Sequence, residues 1–253
     1  MRSGVPLLEF DPEPVALIEP IPLDGDRPLP ERAVICFFRE VIAEACGEGR
    51  AEVVSAFQWS HGDSMFYRLE TERGEVGVFH PGVGAPLACG LLEDAIASGC
   101  RTFVACGGAG ALVPELTLGH VIVPDAAVRD EGTSYHYLPA GREVAVDPAL
   151  IEVATRLLDE RQVPYLIGKS WTTDAPYRET RGKIAARRDE GCVSVEMELA
   201  AFLAVAQHRG VKFLQYLYAG DDASGDTWDH RHWHTSSARR DLFWLAVDTV
   251  LQL

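Results

Sequence analysis

Strand and helix alternate along almost the whole chain, and that alternation limits the fold more than any other feature. AVICFF (33–38) reads as a buried strand running into the helix REVIAEACGEG, which Gly47 and Gly49 stop. Two further strands are predicted near 51–58 and 64–71, and GEVGVFHPG (74–82) ends a strand in a glycine turn before the helix LACGLLEDAIASG. Strands follow at 102–110, 120–128, 164–174 and 212–222, with helices at 148–162, 193–208 and about 236–251. Such a pattern predicts an α/β fold with a mostly parallel or mixed sheet covered by helices on both faces. Ligands of such sheets bind outside the carboxyl ends of the strands, so the strand ends are where chemistry is expected.

No linker or internal repeat divides the 253 residues, which predicts one domain spanning 33–253. Ahead of it, Pro6, Pro12, Pro14, Pro20, Pro22 and Pro28 predict an extended arm over 1–32, lying on the surface or along a partner subunit. The net charge of −15 would repel a nucleic-acid backbone or an anionic membrane and favours small-molecule chemistry, although it also serves simply to solvate the surface. The six cysteines form no CxxC pair and sit among apolar neighbours, which suggests a reducing, cytoplasmic setting. Acids and prolines occupy the N-terminal segment where a signal peptide needs an apolar stretch, and no segment approaches the roughly 20 apolar residues of a membrane span.

The strand ends are rich in motifs. GVGAPLACG (82–90) and CGGAGAL (106–112) each follow a strand, and both read either as tight turns or as exposed backbone N–H groups suited to an anion. Neither is a dinucleotide or triphosphate loop. In SVEMELAAFLAVA (194–206), read as a helix, Glu196 and Glu198 flank Met197. Acids in a first helical turn complement the dipole; alternatively one carboxylate accepts hydrogen bonds from a vicinal diol while the methionine packs under a sugar. LYAGDDASG (217–225) ends a strand in Asp221 and Asp222, either turn formers or a general acid. DHRHWH (229–234) spaces His230, His232 and His234 at alternate positions, which reads better as a polar lid than as a metal site. No nucleophile elbow of the GxSxG type appears.

Together these segments resemble the nucleoside phosphorylase family, and most closely its uridine phosphorylase branch, from about residue 76 to 222. GVGAP (82–86) looks like the family's glycine turn, and RTFVACGGAGAL (101–112) looks like its RTFxRxGTxGxx phosphate turn. VIVPDAAVRDEGTSYHYLP (121–139) is similar to the branch's xVRxxGxSxHxxP loop, GKSWTTDAPY (168–177) to its TxxDxFY segment, and VEMELAA (195–201) to its VEMExAA helix. The resemblance implies a single-domain, three-layer phosphorylase-type fold with a mixed twisted central sheet flanked by helices. It also implies a reaction in which phosphate displaces a nucleobase from ribose to give free base and ribose 1-phosphate. Phosphate would be a co-substrate, no cofactor would be needed, and the chain would form a homodimer or a hexamer.

On the same resemblance, Glu198 would hold the ribose hydroxyls with Glu196 beside it, and Met197 would line the sugar. Gly82, Gly84, Gly107, Gly108 and Gly110 would cradle the anion, Asp221 would protonate the base with Asp222 as second choice, and Trp171, Thr172, Tyr177 and Arg178 would form the base wall. The chain departs from the pattern at the anion. Ala105 stands where the family has an arginine, Gly108 where it has a hydroxyl residue, and CFFRE (36–40) where it has GDPxR. The family's early histidine has no counterpart. Arg39, Arg129 and Arg178 are the candidates to compensate. A hydrolase using water and a silent nucleoside-binding protein are the alternatives. Asp221 points toward purines and the loop 128–139 toward uridine.

Overall fold

The computed structural model describes residues 4–23, 28–60, 62–232 and 237–253. Its ten strands are β1 (Arg32–Cys36), β2 (Glu52–Trp59), β3 (Gly62–Thr71), β4 (Gly74–Phe79), β5 (Thr102–Ala111), β6 (Val121–Asp130), β7 (Glu143–Ala145), β8 (Tyr165–Thr173), β9 (Cys192–Glu196) and β10 (Lys212–Asp222). The helices are α1 (Arg39–Cys46), α2 (Ala85–Ala97), α3 (Ser134–Tyr137), α4 (Pro148–Glu160), α5 (Arg181–Asp189), α6 (Leu199–Arg209) and α7 (Ala238–Val250). All strands join one sheet in the order β10-β6-β8-β9-β5-β1-β4-β3-β2, with β7 on β6.

One additional pairing changes the shape of that sheet. β10 also runs parallel to β5, so β5, β10, β6, β8 and β9 close into a ring, and β1, β4, β3 and β2 extend from it as an open sheet. The ring mixes parallel pairs (β5/β10, β6/β8, β8/β9) with antiparallel ones (β6/β10, β5/β9). Side chains alternate across the sheet. On β10, Phe213 faces α6, with its ring 4.9 Å from Phe202, whereas Tyr216 faces α7 and hydrogen-bonds Thr249 at 2.9 Å. Helices therefore cover both faces, giving the mixed α/β architecture expected from the alternation.

Sequence and structure differ most between 193 and 199. The expected helix over 193–208 is a strand followed by a shorter helix, because Val193 and Val195 are β-branched and CVSVE fits between β8 and β5. Three elements have no sequence counterpart above: β7, the single turn α3, and α5, whose RGKIAARRD carries too little apolar character to show a helical stripe.

The open part of the sheet packs three phenylalanines, Phe57, Phe66 and Phe79, with centroids 5.1–6.0 Å apart. Gly77 lies beneath them, where a Cβ would fall 2.4 Å from Phe66 Cζ. Gly77→Val is expected to destabilise the fold by about 1–3 kcal/mol through overpacking. A thermal melt checks this: an unchanged midpoint would mean that β3 and β4 separate freely at this point. The six cysteines are all reduced and buried, and burial pushes the thiols of Cys46, Cys100 and Cys192 up to about 12. Among the described residues, no helix is long and apolar enough to cross a membrane.

Candidate active site

A cavity of about 1010 Å³ opens at the carboxyl ends of β1, β4, β5, β9 and β10. Its best-ordered feature is a pair of glutamates with divided roles. Glu196 closes β9, and its Oε2 accepts the backbone N–H groups of Glu198 at 2.7 Å and Leu199 at 2.6 Å. It thus supplies the acceptor that the first turn of α6 needs. Its Oε1 accepts from the Thr172 hydroxyl at 2.6 Å. Glu198 is the N-cap of α6 in position, but its own side chain makes no capping bond. That carboxyl turns into the cavity, where Oε1 accepts the Gly84 N–H at 2.5 Å. Met197 lines the cavity between them.

Burial, and then the charge of Glu196, push the Glu198 carboxyl up to about 8, although the N–H groups of Gly84 and Met197 pull the other way. Burial also raises Glu196 against four opposing hydrogen bonds. The site therefore stores a carboxyl that is only 5% exposed and forms no ion pair among the described residues.

The glycine turns meet packing demands of the fold besides facing the cavity. Gly82 (φ +79°) and Gly84 (φ +92°) adopt the left-handed region that favours glycine, and a Cβ on Gly82 would fall 2.3 Å from Leu87 Cδ2. In this turn the Gly84 N–H is already committed to Glu198. On β5, Gly107, Gly108 and Gly110 line the cavity, yet neighbouring side chains crowd the space their missing Cβ atoms leave. Phe37 lies 3.1 Å from the Cβ position at Gly107, Tyr218 lies 3.2 Å from that at Gly108, and Val195 lies 2.9 Å from that at Gly110. The β5 glycines admit aromatic rings beside the strand as well as any anion.

The two aspartates separate by strand alternation. Asp221 lines the cavity and accepts the Trp228 indole N–H at 2.6 Å. Asp222 corrects its place as second choice, because it does not line the cavity and instead pairs with Arg231 and accepts the Ser224 N–H at 2.8 Å. Burial works against ionisation there, but those bonds hold its carboxyl below the usual range.

The expected base wall also needs correction. Trp171 is fully buried away from the cavity, donating to Asp130 at 3.0 Å, with Lys183 and Arg187 over its ring at 5.8 and 5.4 Å. Thr172 holds Glu196 and accepts the Ala200 N–H at 2.9 Å, so it supports the site from behind. Tyr177 does line the cavity, at its mouth, and is 99% exposed. Arg178 is exposed and does not line it. Arg129 is corrected as well: its guanidinium is spent on Ser134 (2.9 Å) and the carbonyls of Pro139 (2.8 Å) and Leu138 (3.2 Å), where it braces the loop after β6. Arg39, at the start of α1, remains at the cavity.

Several lining residues escaped the sequence reading. Arg239 enters from α7, donates to the Tyr218 hydroxyl at 3.0 Å, pairs with Glu40 and lies 5.0 Å over the Phe38 ring. Glu179, just after the turn carrying Tyr177, faces the same cavity as Asp221, and burial followed by the Asp221 charge pushes it up to about 7. Gln215 sits at the floor. Only the apolar run around Gln215 marked any of them in sequence. His230 and His232 stack edge to face at 4.4 Å beside the cavity loop, and His234 lies outside the described residues.

Comparison with known proteins agrees with this architecture. A guanosine phosphorylase of Halorubrum lacusprofundi is 27% identical over 131 residues, covering 52% of this chain and 54% of that one. A uridine phosphorylase of Thermococcus kodakarensis is 38% identical over 118 residues, covering 44% of this chain and 41% of that one. The chain thus spans about half the length of these relatives. The crystal structure of a uridine phosphorylase from Vibrio fischeri ES114 superposes with a TM-score of 0.78 at 18% identity, over 94% of this chain and 100% of that one, which establishes the shared fold. The model of the phosphorylase superfamily matches residues 31–250, nearly the whole length from β1 to α7, and the chain belongs to that superfamily.

Proposed function

We propose that the chain cleaves the N-glycosidic bond of a nucleoside with phosphate, releasing the base and ribose 1-phosphate. The observation that carries this reading is Glu198: a buried carboxyl at the sheet's carboxyl end, held by Gly84 and backed by the Glu196–Thr172 pair. A carboxylate there accepts hydrogen bonds from two adjacent ribose hydroxyls. Met197 lies beneath the sugar's apolar face. Fixing the ribose in this way lets C1′ gain positive charge while the base departs, with the ionised Glu198 favouring that charge. Asp221, at the cavity wall, supplies or relays the proton that the leaving base takes up. Arg39, Arg181 and Arg239 are the guanidinium groups in the cavity lining that can attract phosphate, Arg239 while also paired with Glu40.

A purine is the base we favour. Asp221 suits a purine, whose ring nitrogen takes a proton on leaving, and a guanosine phosphorylase stands among the relatives beside uridine phosphorylases. Hydrolysis is the second reading, favoured by Ala105 and by the aromatic rings packed against the β5 glycines.

A panel of purine and pyrimidine nucleosides, assayed with and without phosphate by release of free base, decides between the two readings. Phosphorolysis is expected to give no release without phosphate and one ribose 1-phosphate per base with it. Full release in phosphate-free buffer would sink the phosphorylase reading in favour of a hydrolase.

A further inference from the structure

Gln215 is the one carboxamide in the otherwise aliphatic and aromatic run FLQYLY of β10, and it is 1% exposed. Its Oε1 has no hydrogen-bond partner among the described residues, yet the side chain lines the floor of the cavity. An unpaired amide oxygen in an apolar strand is costly, and the cost is removed when a ligand supplies the missing bond. The position of Gln215 says which ligand. Phe213, two residues earlier on the same face, packs against Phe202 of α6, the helix whose N-cap is Glu198. Gln215 is thus on the Glu198 side of the sheet. Its partner across the parallel β5/β10 pairing is Ala105, so both side chains stand on one face and the alanine leaves room beside the longer carboxamide. Ala105 is also where the phosphate turn of this chain departs from its family's pattern.

We infer that Gln215 holds the oxygen nucleophile that attacks C1′, binding it through its carboxamide from the floor of the cavity. The inference rests on the reading of the site as one that cleaves a nucleoside. A carboxamide offers two N–H donors and one acceptor oxygen, and which end faces the cavity is set by the partner that binds. It therefore holds a water molecule or a P–OH group by acceptance, which fills the missing bond, or, with the amide turned over, an unprotonated phosphate oxygen by donation. It carries no charge, so phosphate held here depends on the guanidinium groups elsewhere in the cavity lining, Arg39 and Arg181, with Arg239 already paired to Glu40. The new C1′–O bond forms as the C1′–N bond breaks, the bonding pair leaving with the base. Attack by water also releases a proton; the carboxamide does not take it up, and it passes to the departing base, directly or through Asp221.

The test is Gln215→Leu, which keeps the volume and removes both polar atoms, with Gln215→Asn as the variant that keeps the amide but shortens it. Wild type and variants are compared for phosphate KM, for kcat with and without phosphate, for nucleoside Kd by direct titration, and for thermal midpoint. If phosphate is the acceptor, the leucine variant is expected to raise phosphate KM at least tenfold. If water is the acceptor, it lowers phosphate-independent kcat at least tenfold. In both cases nucleoside Kd is unchanged and the midpoint is unchanged or higher. Should the leucine variant fail to fold, the asparagine variant reads the same quantities and is expected to move them in the same direction by a smaller factor. Unchanged phosphate KM and kcat overturn the role of Gln215 alone, as does a rise in nucleoside Kd with the acceptor step intact. A wild-type chain that releases base from no nucleoside under either condition overturns the nucleoside-cleaving reading and this inference with it.

Discussion

Glu198→Gln is expected to stabilise the empty protein in mildly alkaline solution while abolishing its hold on the sugar. The Glu198 carboxyl ordinarily titrates near 4.5 and is pushed up to about 8 in the fold, first by burial and then by Glu196. The fold thus favours the protonated form. The stability this group contributes is complete below its ordinary value and is lost as the pH rises through about 8. Each unit of displacement corresponds to about 1.4 kcal/mol, so ionised Glu198 weakens the empty fold by roughly a few kcal/mol. Glutamine keeps the shape and an oxygen for the Gly84 N–H but never ionises. A thermal melt at about pH 9 should show the variant higher by roughly 5–10 °C for a chain of this size, and the gap should vanish near pH 5. Activity moves the other way. Ribose hydroxyls donate to the ionised form, so wild-type nucleoside affinity should rise as the pH climbs toward about 8, and the variant should lose on the order of 10²-fold in kcat/KM together with that dependence. A variant no more stable than wild type at alkaline pH would mean that the ionised carboxyl does not strain the fold. This is the trade in which a binding site keeps a group the fold alone would not choose.

Much of the architecture was legible because the strands are short apolar runs punctuated by glycine, as in β1, β5 and β10. Ring closure was not legible. Nothing local in KFLQYLYAGDD says that β10 will pair with both β5 and β6, and that pairing decides which face of β8 looks inward. The sequence therefore points Trp171 and Thr172 to the cavity, whereas one fills the core and the other holds Glu196. The VEME segment stands out in the sequence, but its secondary structure does not. Apolar residues on both sides of Glu196 blend a β-branched strand into a helix, and only the tertiary contacts of CVSVE separate them. The glycines of β5 show a third limit. A missing side chain signals close approach without saying whether an anion or an aromatic ring makes it, and here Phe37 and Tyr218 do so. Glu179 and Arg239 were invisible for a simpler reason: a charged residue after a turn or on a helix looks like any solvated one until the fold brings it to a cavity.

The second large effect is expected at Asp221, which lines the same cavity. Asp221→Asn should lower kcat/KM for natural nucleosides by about 10²–10⁴, the usual worth of protonating a leaving group. It should leave almost untouched a riboside with an activated phenolic leaving group, which departs as an anion and needs no proton. That contrast separates a proton donor from a residue that merely shapes the pocket. Glu179 complicates the assignment in a way that can be measured. It faces the same cavity, and burial followed by the Asp221 charge pushes it up to about 7, so near neutrality it still carries a proton that Asp221 or a base could share. Because its value is raised, that proton is present at lower pH and lost as the pH rises through about 7. If Asp221 is the donor and Glu179 its supply, Glu179→Gln should reduce the rate modestly and flatten the decline on the alkaline side, whereas Asp221→Asn should remove the rate. The reverse ranking, a large loss in Glu179→Gln and a small one in Asp221→Asn, would move the acid to Glu179. It would leave Asp221 the part its geometry already shows, receiving the Trp228 indole N–H at 2.6 Å and fixing the loop over the cavity.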